Sequence, residues 1–156
     1  MIEVFRDEVQ EDHLIGRFQP KAHMTGFPGI THGGSIYTAI DCLASWTPTV
    51  LIPEVKAAWI LRSAEIKYLS PAHVGLALIL SAKIAKATWI QKSGSKEKIM
   101  PKKWKPILVR TTAHNEEGIL LVEASFKLVP LTAEKLKSVA GIAQLPDNWS
   151  HLLNET

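Results

Sequence analysis

Residues 13–18 form a short candidate strand, followed by a loop over 20–29 rich in glycine and proline. After Gly33 and Gly34 the rhythm turns helical. Ile36, Ile40, Leu43 and Thr47 recur on one face, with Ala39 and Trp46 beside them. Pro48 is expected to end or kink this helix, and Pro53 closes the region. From there the rhythm is β. Residues 58–69 read as a strand with Ile60, Ala64, Ile66 and Tyr68 on one face, ended by Ser70 and Pro71. Residues 76–89 form a long apolar strand, too continuous to have a fully wet face. Residues 107–114 form the next, and Asn115 to Gly118 make a hairpin turn. Leu120, Val122, Ala124, Phe126 and Leu128 then alternate with Glu123, Ser125 and Lys127. Thr132 is placed to cap a short helix.

The order is strand, one helix, then four strands in series. One helix cannot cover both faces of such a sheet. It covers one if the sheet curls around it, leaving the other face or an edge for a partner. The pattern predicts an α+β fold with a central helix, and an oligomer.

Length and composition fit this picture without narrowing it. The 156 residues suit a single domain over 1–156, with 46% hydrophobic and 21% charged residues. No apolar run reaches the ~18 to 20 residues that span a bilayer. Residues 1–13 are acidic and lack an apolar signal core, so a cytoplasmic location and no membrane partner are expected. Cys42 is the only cysteine, and the six histidines show no paired ligand spacing, so no metal site is expected.

Charge changes the picture in one place. Between residues 86 and 105 seven lysines face one acid, Glu97, although the whole chain carries only +3. This segment is a solvated loop or a patch for a phosphorylated ligand. No aromatic-interleaved motif or recognition helix accompanies it, so nucleic acid is not the expected partner.

The candidate chemistry lies at the glycine turn. Backbone N–H groups at a helix N-terminus lack internal partners and carry partial positive charge. Glycines let a ligand approach them closely, which suits a carbonyl oxygen becoming an oxyanion. A glycine turn also serves plain tight packing. Asp41 lies two turns on, in a stripe with Thr38 and Ser45. That stripe is either the wet face of the helix or the seat of a general base or nucleophile. Gly33 and Asp41 are eight residues apart, roughly 12 Å along a helix. If both act on one bond, they must come from two protomers. Cys42 is expected to be a small core residue, and the tryptophans to be packing residues.

The run Gly26-Phe27-Pro28-Gly29-Ile30-Thr31-His32-Gly33-Gly34-Ser35, with Asp41 nine positions after His32, resembles the active-site segment of hotdog-fold thioesterases of the PaaI-like type. Residues 65–75 resemble their second strand and the turn after it, and residues 117–126 their last hairpin. The likeness covers about 13–130, leaving a short helix and tail over 131–156. It implies a five- or six-stranded antiparallel sheet wrapped around one long central helix. It implies homodimers, often paired into tetramers, that hydrolyse an acyl-CoA thioester without a further cofactor, coenzyme A being part of the substrate. By that likeness the Gly33 N–H polarises the thioester carbonyl, and the partner's aspartate at position 41 activates water or attacks directly. His32 orients the carbonyl or the loop. Gly26, Gly34, Thr38, Ser45, Tyr68, Pro71, Lys98 and Lys102 are the expected substrate-binding residues. His23 and His73 are loop residues that could line a coenzyme A channel. Three departures stand out: Gly26 where many relatives have Asn, Cys42 where close ones have Glu, and Leu61 where some have Ser or Thr. A non-catalytic acyl-CoA-binding module and a hotdog dehydratase or hydratase are the alternatives.

Overall fold

The computed structural model describes residues 3–6, 12–87, 105–146, 149 and 153. In chain order they form β1 (Glu3–Arg6), β2 (His13–Phe18), a short 3-10 turn (Ala22–Met24), β3 (Thr25–Phe27), β4 (Ile30–Thr31) and α1 (Gly33–Leu51). Then follow β5 (Ala58–Tyr68), β6 (Leu78–Lys86), β7 (Ile107–His114), β8 (Leu120–Leu131) and α2 (Ala133–Ala140). Six strands make one antiparallel sheet in the order β1-β2-β6-β7-β8-β5, while β3 and β4 pair as a small hairpin. Helix α1 packs on the sheet, so the expected α+β architecture is what the chain adopts.

The core forms where the two periodicities meet. Ile36, Ala39, Ile40, Leu43 and Ala44 of α1 are buried against Leu14, Leu80, Val109, Val122, Phe126 and Leu128 of the sheet. Burying a Leu, Ile or Phe side chain stabilises by about 1.5–3 kcal/mol each, which is why one apolar helix face suffices to fix the helix on the sheet. Thr47 is also buried, and its hydroxyl donates to the Leu43 carbonyl at 2.7 Å, so no polar atom is left bare there.

Pro48 does not end the helix. α1 runs on to Leu51, and the Ile52 N–H donates to the Pro48 carbonyl at 3.0 Å. Pro48 has no N–H for the turn behind it, but it is itself buried, and the apolar surroundings hold the last turn in place. Trp46, expected beside the core, is 48% exposed, and Cys42 is exposed instead of buried. With Gly34 and Thr38 they form a stripe at four-residue spacing on the side of α1 away from the sheet.

β5 carries a second correction. The register shifts between Leu61 and Ser63, so Arg62 is an extra residue. Leu61, Ala64, Ile66 and Tyr68 stand opposite Leu128, Phe126, Ala124 and Val122 on the core side, whereas Ile60 and Ser63 stand opposite Val129 and Lys127. Ile60 therefore does not share a face with Ala64, as period-two counting predicted. In β6, Leu78, Leu80 and Ala82 are buried while Lys83 is exposed, so alternation persists within the apolar run.

The 115–118 turn forms as expected, with the Gly118 N–H donating to the Asn115 carbonyl and Gly118 at φ 81°. Thr132 caps α2 through its hydroxyl, which accepts from the Lys135 N–H at 3.3 Å. Ala58 at the start of β5 packs with Leu145 and Leu153, bringing the C-terminal segment to that end of the sheet. β5 sits at the margin, bonded to β8 on one side, and its other edge carries no strand among the described residues.

Candidate active site at the start of the central helix

His32 is the N-cap of α1. Its backbone is extended (φ −61°, ψ 129°), and its Nδ1 accepts the Gly34 N–H at 3.0 Å. As an acceptor Nδ1 carries no hydrogen, so the neutral ring holds its proton on Nε2. The His32 carbonyl takes the Ser35 N–H at 2.9 Å and the Ile36 N–H at 3.4 Å. The Ile36 bond is the first regular one of the helix; with the His32 N–H taken by the Met24 carbonyl, the Gly34 and Ser35 bonds account for three of the four donors a helix start leaves over. The fourth, the Gly33 N–H, bonds nothing among the described residues. The turn therefore presents one free backbone donor at the positive end of a 19-residue helix.

Neighbouring segments hold the turn from both sides. The His32 N–H donates to the Met24 carbonyl at 2.7 Å, and the Thr31 N–H to the Ala72 carbonyl at 2.8 Å. The loop after β5 thus runs beside the strand that enters the helix, with Pro71 exposed in it. Tyr68, at the end of β5, donates its hydroxyl to the Gly33 carbonyl at 2.9 Å.

The glycines are packed by these same two side chains. A Cβ on Gly33 would lie 3.1 Å from the Tyr68 Cζ, and one on Gly34 would lie 2.9 Å from the His32 Nδ1. A Cβ on Gly26 would lie 3.1 Å from the His32 Cα. Gly26, Gly34 and Tyr68 are thus all at the turn with His32 and Gly33. The expectation for Tyr68 named only substrate. Its bond to the Gly33 carbonyl, 35 residues away in the chain, has no local signature.

Asp41 is half-buried two turns along α1, and its Oδ1 is buried without a hydrogen-bond partner. Burial pushes its carboxyl above the ordinary carboxylate range. Tyr37, one turn earlier, packs its ring 5.8 Å from that of Phe126. Its hydroxyl is pushed up by burial and then by the Asp41 carboxylate, and the Tyr68 hydroxyl is raised by burial and by Tyr37. Sequence reading passed over Tyr37, although four residues before Asp41 is a facing position. Partial desolvation and the Asp41 charge raise the Cys42 thiol, which leaves less thiolate and argues against a nucleophile.

Ser45, one turn beyond Asp41, is half-buried, while Thr38 spends its hydroxyl on the Gly34 carbonyl at 2.9 Å. His23 and His73 are exposed. Lys98 and Lys102 lie outside the described residues. Among the described residues no group of three His, Cys, Asp or Glu is arranged to hold a metal ion.

Neither a family model nor a curated protein sequence matches the chain. Solved structures do. Smu.793 from Streptococcus mutans UA159, bound to acetyl CoA, superposes with a TM-score of 0.64 at 15% identity, over 84% of this chain and 89% of that one. The E. coli PaaI protein from the phenylacetic acid degradation operon gives 0.61 at 14%, over 83% and 79%. The fold is the hotdog fold. A hypothetical thioesterase protein from Streptococcus pneumoniae TIGR4 with coenzyme A shares it as well, at 0.60 and 13% identity over 83% and 88%. In this hotdog chain the free Gly33 N–H and the unpartnered carboxylate oxygen stand on one helix, about 12 Å apart at 1.5 Å per residue. One carbonyl cannot meet both within a protomer.

Proposed function

We propose that the chain hydrolyses an acyl-CoA thioester as a homodimer, with Gly33 of one protomer and the partner's aspartate at position 41 acting on the same carbonyl. The observation that carries this reading is the Asp41 Oδ1, buried with no partner on the half-wet side of a helix whose first N–H is also free. A desolvated carboxylate with a raised pKa suits a general base working near neutral pH. Asp41 takes a proton from water, and the hydroxide adds to the thioester carbon. The Gly33 N–H meets the resulting oxyanion. The intermediate collapses, the C–S bond breaks, and the departing coenzyme A thiolate takes up the proton. The products are a carboxylic acid and free coenzyme A.

Two features favour the dimer. The 11-residue β5 has a free edge among the described residues, and such an edge invites pairing with a second copy. The Thr38–Cys42–Trp46 stripe gives α1 an uncovered face with an exposed tryptophan. Pairs of dimers remain compatible with this arrangement. Lys98 and Lys102 are proposed to meet the coenzyme A phosphates. No described helix is long and apolar enough to cross a membrane, and cytoplasmic placement is part of the proposal.

Subunit mixing tests the shared site. Gly33→Pro removes the free N–H at the first helical position, where proline is well accommodated, although Tyr68 must yield slightly. Asp41→Asn removes the base. Each variant alone should release thiol from acyl-CoA at least about 10²-fold more slowly than the wild type. Unfolded and refolded together in equal amounts, they should regain about a quarter of wild-type activity, since half the dimers are mixed and each holds one intact site. If no mixture recovers activity while the wild type works, the two residues act within one protomer. If the wild type binds acyl-CoA and releases no thiol, the chain is a binding module.

A further inference from the structure

Ser45 and Thr49 continue the face of α1 that carries Asp41, at successive four-residue steps, each about 6 Å along the helix axis. Beside them lies a cavity of about 150 Å³. Trp46 and Trp59 wall it from α1 and β5, and Trp149 and Leu153 wall it from the C-terminal segment. Apart from the Ser45 and Thr49 hydroxyls the principal wall side chains are apolar. No described cation or carboxylate lines it, so it favours an uncharged, apolar guest. It is not sealed, because Trp46 and Trp149 are 48% and 40% exposed and form its rim.

We propose that this cavity seats the acyl group of the substrate and that the C-terminal segment, through Trp149 and Leu153, limits it to a compact acyl chain. The inference rests on the hydrolytic reading for the identity of its guest. A thioester carbonyl held at Asp41 leaves its acyl carbons to run along the helix, and the next positions on that face are Ser45 and Thr49. An apolar cavity of about 150 Å³ is large enough for a guest the size of benzene, about six carbons. Acetyl leaves most of it empty, and a twelve-carbon chain overruns the wall made by Trp149 and Leu153. A second copy of the chain inserting a side chain here is the competing occupant.

The test is made on Asp41→Asn protein, so that binding is read without turnover, by titrating acetyl-, hexanoyl- and dodecanoyl-CoA and following tryptophan fluorescence and heat. Hexanoyl-CoA should bind about 10- to 100-fold more tightly than acetyl-CoA, the gain expected for burying a side-chain-sized apolar group. Dodecanoyl-CoA should bind no better than hexanoyl-CoA. Thr49→Phe should abolish the hexanoyl preference while leaving the affinity for free coenzyme A unchanged. Trp149→Ala should let dodecanoyl-CoA match or pass hexanoyl-CoA, a gain that misfolding cannot produce. Equal binding of all three esters would overturn the proposal. So would a Thr49→Phe protein that keeps the preference, or one that changes oligomeric state with selectivity intact. Should wild-type protein release no thiol while these preferences hold, the hydrolytic reading fails and the acyl pocket stands.

Discussion

Replacing Asp41 by Asn should make the protein more stable and less active at once. The carboxylate has an oxygen buried without a partner, and burial holds its pKa above the ordinary value. A fully buried unpaired polar group costs about 1–3 kcal/mol. Asp41 is only half-buried and Asn leaves a polar amide in its place, so removal of the charge alone is worth about 1 kcal/mol, the lower end of that range. For a chain of this size that corresponds to a rise of about 2–4 °C in Tm. The pH dependence separates this cause from others. An unfolded aspartate ionises near 3.9, and the folded one only at higher pH. Below both values each state is protonated, and the variant has no charge advantage. As pH rises, the unfolded chain gives up its proton first, so wild-type stability falls across the interval between the two pKa values and stays lower above it. The gain in Tm should therefore be full at pH 7–8 and vanish towards about pH 3–4. Thiol release should fall by at least about 10²-fold, the usual worth of a positioned base. Differential scanning calorimetry across pH at fixed protein concentration, beside an acyl-CoA hydrolysis assay, reads both. A variant less stable than wild type at pH 7, or a Tm gain of equal size at pH 4, would refute the reasoning.

Gly34→Ala would place a Cβ 2.9 Å from the His32 Nδ1, so the ring must move and release its cap bond; thermal unfolding should show a loss of about 1 kcal/mol. Tyr68→Phe deletes the hydroxyl bond to the Gly33 carbonyl while keeping the ring, and should lower kcat with KM little changed and stability down by about 1 kcal/mol. Cys42→Ser should leave hydrolysis within about twofold, because the raised thiol pKa keeps it out of the chemistry; a larger loss would make the thiol a participant. Raising ionic strength should increase KM for acyl-CoA if Lys98 and Lys102 meet its phosphates, and a salt-independent KM would remove them from the site.

Much of this architecture was legible in the alternation of apolar positions. The β8 run, the hairpin at Gly118 and the Ile36–Ile40–Leu43 face need only the two periods to be seen, because local geometry decides which side chains reach the core. What escaped depended on contacts or defects that periods do not encode. The extra residue Arg62 turns Ile60 away from Ala64, and nothing in the residues around it signals a bulge. Cys42 and Trp46 look like core by composition. They are exposed because the sheet covers α1 from one side, a fact of layer count that no helix reveals alone. Pro48 reads as a stop signal and is overridden by burial of the final turn. At the candidate site the cap and the carboxylate were legible as types at a spacing. The Tyr68 bond to Gly33 was not, because it joins positions that only the paired β5 brings together.

The same contacts explain why glycine stands at three places around His32. At position 34 a side chain would strike the imidazole that caps the helix, and at position 33 it would press on the Tyr68 ring. At position 26 a Cβ would meet the His32 backbone itself at 3.1 Å, a neighbour that cannot swing aside. The asparagine expected there therefore has no room unless the capping residue shifts, and here the histidine backbone fills that space. The turn is thus built by close packing, and packing and capping together satisfy every first-turn donor except the Gly33 N–H. Tyr68 holds the opposite side of that residue by its carbonyl, so the free N–H keeps a fixed direction. Asp41 shows the converse arrangement, a half-buried acceptor with nothing donating to its inner oxygen. The half-buried acceptor, on the same helix as the free donor but too far from it to serve one carbonyl, lowers stability in the isolated protomer. A thioester bound between two antiparallel copies would bring the donor of one to the acceptor of the other. On the proposed shared site, the turn and the desolvated carboxylate would be two halves of one arrangement, and the β5 edge and exposed Trp46 stripe would be where the copies meet.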